Sequence, residues 1–305
     1  MTIQLHAGCK VNLYLDIVGV REDGYHMLES LFYPLPVPND TLHVTEHDAS
    51  GLVLTCSRPE LATAENLIAR AYRAYQQWTG WAPGLHVYLE KQIPLGAGIG
   101  GGSSDAAVFL RWLNRQAGSL ALSESDLSAL GATLGADIPF FLQDCPAWVC
   151  GAGEILESAT VHLTGNFLVL VCPPVQVSTA WAYQRWDELG QETGLRKELT
   201  GQKCVVMTRS STRSLVFFNA FEKVVFPEFP VLSSIKKKLL NCGAEAAVMS
   251  GSGSSIVGIF QSRLQAERAQ DVLRSLGYVS FGIDLADTSL PSNSINHAGN
   301  AACSA

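Results

Sequence analysis

"PLGAGIGGGSSDAA", positions 94–107, decides how the rest of this chain is read. It crowds glycines and serines between an alternating apolar segment, "LHVYLEKQI" (85–93), and a helix expected from about Ser103 to Arg115. Glycine costs about 0.5–1 kcal/mol relative to alanine wherever order is required, so the run serves something that needs bare backbone amides. A strand-to-helix loop supplies them, because the first amides of a helix lack intrahelical acceptors and favour an anion. Pro94, Gly96, Ala97, Gly98, Ile99, Gly100, Gly101 and Gly102 make the candidate phosphate cradle. The Ser103 and Ser104 hydroxyls are in reach of a phosphate oxygen or a magnesium ion. Asp105 sits in the first turn, where its charge suits the helix dipole; it is read as a capping carboxylate ahead of a metal ligand. A purely structural strand-helix turn is the competing reading of the whole stretch.

Named nucleotide loops fit it poorly. A Walker loop needs a lysine after its glycines, and none follows. Gly96, Gly98 and Gly101 match G-x-G-x-x-G, yet Pro94 interrupts the junction and no βαβ unit opens the chain, which weakens a dinucleotide site. Protein-kinase HRD and DFG elements are absent.

Composition narrows the class further. The 305 residues suffice for two domains, and a net charge of -7 argues against a general nucleic-acid binder. A few cations and amides still make a local anion site on an acidic protein. The most apolar run, "FLVLVC" (167–172), is far short of the roughly 20 residues that span a bilayer. The start lacks the parts of a signal peptide, so a cytoplasmic protein without a membrane partner is expected. Eight cysteines without a C-x-x-C pair read as reduced, mostly buried thiols. His43 and His47 share a strand-like stretch without a H-E-x-x-H pattern, so zinc is not expected.

The chain reads as a strand over Gln4–Leu15, a turn, the segment "EDGYHMLESLFYPL", a charged turn at "VPND" and a strand at "TLHVT". A helix is expected from Ala64 to Trp78 with Thr63 as N-cap and Gly80 as stop. Ser123 and Asp126 open a helix through Leu127, Leu130 and Leu134 that Gly135 ends. In "ADIPFFL", Pro139 is expected to push Ile138 toward extended backbone. Strands "AWVCG" and "FLVLV", a helix near Thr179–Leu189 and a polar stretch 190–214 follow. A helix Leu232–Leu240, strand "AEAAVM", turn "SGSGS", strand "SIVGIF", helix 264–275 and strand "YVSFGI" complete the pattern. We place a domain break near 155, giving domains 1–155 and 156–287 and an irregular, disordered tail 288–305.

Four stretches in this order resemble the GHMP kinase superfamily: "KVNLYLDIVGVREDGYHMLESLF" (10–32), the glycine loop, "GADIPFFL" (135–142) and "MSGSGSS" (249–255). The "GYH" and "GADIPFFL" segments together resemble its branch acting on a cytidine-diphosphate alcohol. That resemblance implies an α+β, two-domain fold, with a ribosomal-protein S5-like N-terminal domain, a ferredoxin-like C-terminal domain and the site in the cleft between them. It implies phosphoryl transfer from ATP, with Mg2+, to an alcohol of a small molecule on the non-mevalonate route to isoprenoid precursors. Its parts would work in a monomer or weak homodimer.

The residues themselves leave other readings open. A lone strand lysine such as Lys10 is usually an edge residue, and Asp137 is equally a turn carboxylate. The resemblance implies instead that they flank the acceptor hydroxyl, Asp137 accepting its proton and Lys10 offsetting negative charge; direct magnesium binding by Asp137 stays open. It likewise implies that Tyr25 stacks on cytosine with His26 as hydrogen-bonding neighbour, and that Asn12 touches the acceptor. Tyr183, with Trp181 as rival, is the candidate for the other face of the base. Asn66 is expected near adenine, and Ser252 and Gly253 near the phosphate or acceptor. Two segments depart from the pattern, "QDCPAWVCGAGE" after "PFFL" and "NAFE" at 219–222. Another small-molecule kinase of the superfamily, acting on homoserine, mevalonate or a sugar, and a non-catalytic nucleotide-binding regulator are the alternatives.

Overall fold

The computed structural model describes residues 2–161, 163–193 and 216–285. Its strands β1 (Thr2–Val20) and β2 (His26–Glu46) form an antiparallel hairpin far longer than the usual strand of about 5–6 residues. The register breaks between Ala7 and Cys9, Asn12 and Tyr14, and Ile17 and Gly19. Bulges of this kind bend a strand, so β2 serves two neighbours. Its Thr41–Glu46 half pairs with β4 (Gly84–Glu90), and its Leu28–Phe32 half pairs with β5 (Ala147–Gly151). Strand β3 (Gly51–Cys56) runs parallel to β4, and β6 (Ile155–Ser158) extends from β5.

Helices α1 (Leu67–Thr79), α2 (Gly101–Gln116), α3 (Glu124–Leu134) and α4 (Ile138–Gln143) cover one face of this sheet. The alternation in "LHVYLE" does its work here: Leu85, Val87 and Leu89 point into the core with Ile68, Tyr75, Phe109 and Phe140, while His86 and Tyr88 face out.

The second half contains β7 (Phe167–Cys172), α5 (Thr179–Thr193), β8 (Phe218–Asn219), α6 (Glu222–Glu228), α7 (Pro230–Asn241), β9 (Ala246–Met249), β10 (Ile256–Phe260), α8 (Arg263–Ser275) and β11 (Val279–Asp284). Four of its strands form an antiparallel sheet in the order β11-β7-β10-β9, while β8 joins β1 in parallel. Leu232, Ile235, Leu239, Ala269 and Leu273 pack a second core under α7 and α8.

A third core lies between the two sheets. Leu168, Leu170, Val257 and Ile259 meet Cys9, Val11 and Leu13 of β1, together with Ile93, Ala97 and Ile99 beside the glycine loop. Because strand side chains alternate, burying Cys9, Val11 and Leu13 between the sheets turns Lys10 and Asn12 to the opposite face. That packing aims the site.

The α+β class expected from sequence holds, and several local expectations change. Helix α1 starts at Leu67, not Ala64, because Asn66 rather than Thr63 caps it: the Asn66 Oδ1 accepts the Ile68 N–H at 2.9 Å. Pro139 does not extend its neighbour; Ile138 and Pro139 form the first turn of α4, where a missing N–H removes no bond. The first strand runs on to Val20. Helix α2 begins at Gly101, ahead of Ser103, because Gly100 takes a left-handed cap conformation (φ 76). Asp105 is therefore beyond the cap and makes a buried ion pair instead. Cys9, Cys56, Cys145, Cys150, Cys172 and Cys242 are free thiols. Cys204, Cys303, the tail 288–305 and most of the stretch 190–214 lie outside the described residues. Among the described residues no helix is long and apolar enough to cross a membrane.

Candidate active site

Lys10 is buried at 5% exposure, and a buried ammonium without partners is costly. It has three. Its Nζ donates to Asn12 Oδ1 at 2.8 Å, lies 3.8 Å from Asp137 Oδ2, and stands 4.1 Å from the centre of the Phe32 ring. Asp137 is the N-cap residue of α4, yet its side chain caps nothing. With a third of its side chain exposed, the carboxylate stays accessible at the edge of the buried lysine.

The glycine loop is threaded between these groups. The Lys10 backbone N–H donates to the Ile99 carbonyl at 2.9 Å. A Cβ at Gly100 would stand 3.3 Å from the Lys10 stem and 2.7 Å from the Phe141 ring of α4. Ser103 points toward the segment before Asp137, its Oγ 3.9 Å from where a Gly135 Cβ would lie. Ser104 is buried. Pro94, Gly101 and Gly102 complete the passage from β4 to α2, and a Cβ at Gly101 would press on Ile93 at 2.8 Å.

The second domain closes the other side. Ser255 Oγ donates to the Ala97 carbonyl at 2.7 Å. A Cβ on Gly98 would collide with the Gly253 carbonyl, and one on Gly251 would stand 3.5 Å from Asn12 Oδ1. Ser252 Oγ pairs with Thr179 Oγ1 at 2.8 Å. The loop, Lys10, Asn12 and Asp137 therefore meet the turn that carries Gly251 and Gly253 where the two halves join. Asn66 is engaged by the backbone on both ends of its amide, taking the Ile68 N–H and donating to the Leu61 carbonyl at 2.9 Å.

At the far end, His26 stacks on Tyr183 with ring centres 4.5 Å apart, and its Nε2 lies 3.0 Å from Asp187 Oδ1. Tyr183 also meets Phe221 edge-on at 4.9 Å, and burial pushes its phenol up to about 12. Trp181 turns away to Phe229. Tyr25 stands 66% exposed at the hairpin tip, its N–H donating to Asp23.

Sequence reasoning missed the residues that tie the halves together. Ser250, fully buried, accepts the Asn12 N–H at 3.0 Å and donates to Asn12 Oδ1 at 3.3 Å. The Asn12 Nδ2 donates to Ser30 Oγ at 2.8 Å, so the side chain that positions Lys10 is itself fixed from β2 and from the turn after β9. Asn219 donates to the carbonyls of Met249 (2.6 Å) and Gly251 (2.7 Å), and Glu222 accepts the Met249 N–H at 2.9 Å. Ser250 lies inside "MSGSGSS", and the departing "NAFE" segment was the signal for Asn219 and Glu222: its ends hold the second glycine-serine turn.

No three carboxylate, imidazole or thiol groups gather as a metal cage among the described residues. Magnesium keeps waters and substrate phosphates as most of its ligands, so its fit here rests on the oxygens of Ser103 and Asp137 beside the loop rather than on a cage.

The GHMP kinases N terminal domain model matches residues 66–150, and the GHMP kinases C terminal model matches 207–279. A 4-diphosphocytidyl-2-C-methyl-D-erythritol kinase of Solidesulfovibrio magneticus is 47% identical over 277 residues, 88% of this chain and 92% of that protein. A crystal structure of 4-(cytidine 5'-diphospho)-2C-methyl-D-erythritol kinase superposes with a TM-score of 0.76 at 33% identity, covering 92% of this chain and 98% of that one. A homoserine kinase from Cytophaga hutchinsonii shares the fold at a TM-score of 0.61 and 18% identity, with coverages of 92% and 93%.

Proposed function

The chain belongs to the 4-diphosphocytidyl-2-C-methyl-D-erythritol kinases of the GHMP kinase superfamily, and we propose how its cleft carries out their reaction. It is an ATP-dependent small-molecule kinase. The γ-phosphoryl group of ATP passes to the 2-hydroxyl of 4-diphosphocytidyl-2-C-methyl-D-erythritol, giving ADP and the 2-phosphate in the non-mevalonate synthesis of isoprenoid precursors.

Phosphoryl transfer is loose, so alignment and electrostatics carry most of the catalysis. In our reading Asp137 orients the acceptor hydroxyl and takes its proton as the P–O bond forms. Lys10, held by Asn12, offsets negative charge around the transferring group. The observation that carries this is the 3.8 Å separation of Lys10 and Asp137 beside the loop packed on the lysine stem. Amides of residues 96–102 with Ser103 and Ser104 cradle the phosphates, the Pro94 end faces the nucleotide, and Asn66 borders the adenine. Magnesium would ride on the phosphates with Ser103 as its protein oxygen, and when bound it neutralises their charge. His26 and Tyr183 receive the cytosine, and Tyr25 closes over it from the hairpin tip. Asn12, Ser252 and Gly253 face the acceptor side.

Leaving out β8, which joins the first sheet, the strands of the second sheet and the helical segments between them follow a βαββαβ order, and with the sheet order β11-β7-β10-β9 this supports naming the half ferredoxin-like. The first half is then the S5-like domain, with the boundary near 155. We read the protein as a monomer or weak homodimer. Free thiols and dependence on ATP fit a cytoplasmic setting.

The test measures ADP release with the cytidylated alcohol, mevalonate and homoserine in parallel. Turnover confined to the cytidylated alcohol, and lost in Asp137→Ala, is expected. Asp137→Ala turning over at the parent rate would overturn the base assignment.

A further inference from the structure

Three charged side chains are buried together under the glycine loop, away from the transfer centre. Lys91, just after β4, is 4% exposed, Asp40 of β2 0%, and Asp105 of α2 4%. Asp40 Oδ1 accepts the backbone N–H groups of Gln92 (2.6 Å) and Ile93 (2.9 Å), and its Oδ2 accepts from Lys91 Nζ. The same Nζ donates to Asp105 Oδ2 at 2.8 Å. Among the described residues Asp105 Oδ1 is buried with no hydrogen-bond partner, and burial pushes this carboxyl up against the pull of Lys91.

Burying three charges is a poor route to stability, since apolar side chains of similar volume often do as well or better. What the cluster does supply is geometry. Lys91 and Asp105 stand at the two ends of the glycine loop, and their ion pair closes its base. Asp40 meanwhile fixes the backbone of the leading end to β2. Between them Gly96, Gly98 and Gly100 hold φ values of 70, 74 and 76, a conformation that a free glycine-rich segment samples among many others. Fixing both ends removes alternatives that a bound triphosphate would otherwise have to freeze out.

We propose that Asp40, Lys91 and Asp105 are positioning residues: a buried clasp that holds the glycine loop in its ATP-binding shape without touching the nucleotide. The proposal rests on the reading of that loop as the phosphate site. It predicts a selective effect on ATP, because the acceptor groups hang from β1, β2, the start of α4 and the second domain.

Asp105→Leu cuts the tether to α2 while leaving the neutral Lys91–Asp40 pair in place. We expect the ATP KM, and the Kd of a non-hydrolysable ATP analogue, to rise about tenfold. The acceptor KM, kcat and urea midpoint should stay close to the parent values. Asp105→Asn, which keeps an acceptor oxygen for Lys91, should restore ATP affinity to within about threefold. If Asp105→Leu does not fold, Asp105→Ser takes its place with the same expected rise. An unchanged ATP KM in a folded variant overturns the clasp, as does an equal rise in both KM values. Gly98→Ala separates the two failures. If it weakens ATP and Asp105→Leu does not, only the clasp falls; if neither weakens ATP, the phosphate-loop reading falls with it.

Discussion

Gly98→Ala probes the seam on which both substrate sites depend. Gly98 has φ 74, and a Cβ there would lie 3.2 Å from the Gly253 carbonyl carbon, closer still to its oxygen, and 3.6 Å from the Ser250 carbonyl oxygen. These are backbone atoms, so no rotamer change relieves the contact. Left-handed backbone costs a residue with a Cβ about 1–2 kcal/mol, and forcing an extra methyl into a packed contact adds about 1–3 kcal/mol. The native arrangement is thus penalised by about 2–5 kcal/mol, which exceeds the worth of the Ser255–Ala97 hydrogen bond that docks the loop, about 0.5–1.5 kcal/mol. The cheaper escape is for the loop to leave the turn. The core under the first sheet and the core under α7 and α8 stay intact, while the amides lose their alignment. The expected result is an ATP KM raised at least about tenfold, equivalent to about 1.4 kcal/mol, with a smaller fall in the urea midpoint than the full penalty. Gly102→Ala is the stability control: the nearest atom to its Cβ is Leu67 Cδ1 at 3.6 Å, and an alanine in the helix should add up to about 1 kcal/mol. An ATP KM within about twofold of the parent and an unmoved midpoint in Gly98→Ala would refute the claim that docking on this turn shapes the phosphate site.

Asp137→Ala should cut kcat at least about 100-fold, the low end for positioned proton transfer, with the melting transition unchanged. Lys10→Ala should also lose turnover at saturating ATP and acceptor, and a retained rate would assign it a structural role only. Ser250→Ala removes one buried hydrogen-bond partner of Asn12, so kcat should fall by up to about tenfold, in line with about 0.5–1.5 kcal/mol for such a bond. Tyr183→Ala should raise the KM for the cytidylated alcohol with the ATP KM unchanged, read by initial rates with each substrate varied in turn.

Much of the fold was legible in the chain. The alternation in "LHVYLEKQI", the glycine loop and the run from "AEAAVM" to "YVSFGI" carry their periods openly, and they became β4, the loop into α2, and β9 to β11. Errors fell where local rules compete. Thr63 and Asn66 are both plausible caps, and the Leu61 carbonyl that takes the Asn66 amide, leaving its Oδ1 for the Ile68 N–H, distinguishes them. A proline both disfavours helix in its predecessor and suits a first helical turn; at Pro139 the burial of Ile138, Phe140 and Phe141 selected the helix. Asp105 read as a helix-end charge because its partner, Lys91, belongs to another element.

By itself the sequence determined which backbone is bare, which strand carries a lysine among apolar neighbours, and which carboxylate follows a helix stop. Those are local properties, written in residue type and spacing. Tertiary structure alone decided that Lys10 meets Asp137, that Asn12 is held by Ser250 at a sequence separation of 238, and that His26 finds Asp187 at a separation of 161. Such pairings follow from how the β1–β2 hairpin of the first sheet packs against the second half, and burial on both faces of β1 leaves no periodic trace of which polar groups will meet.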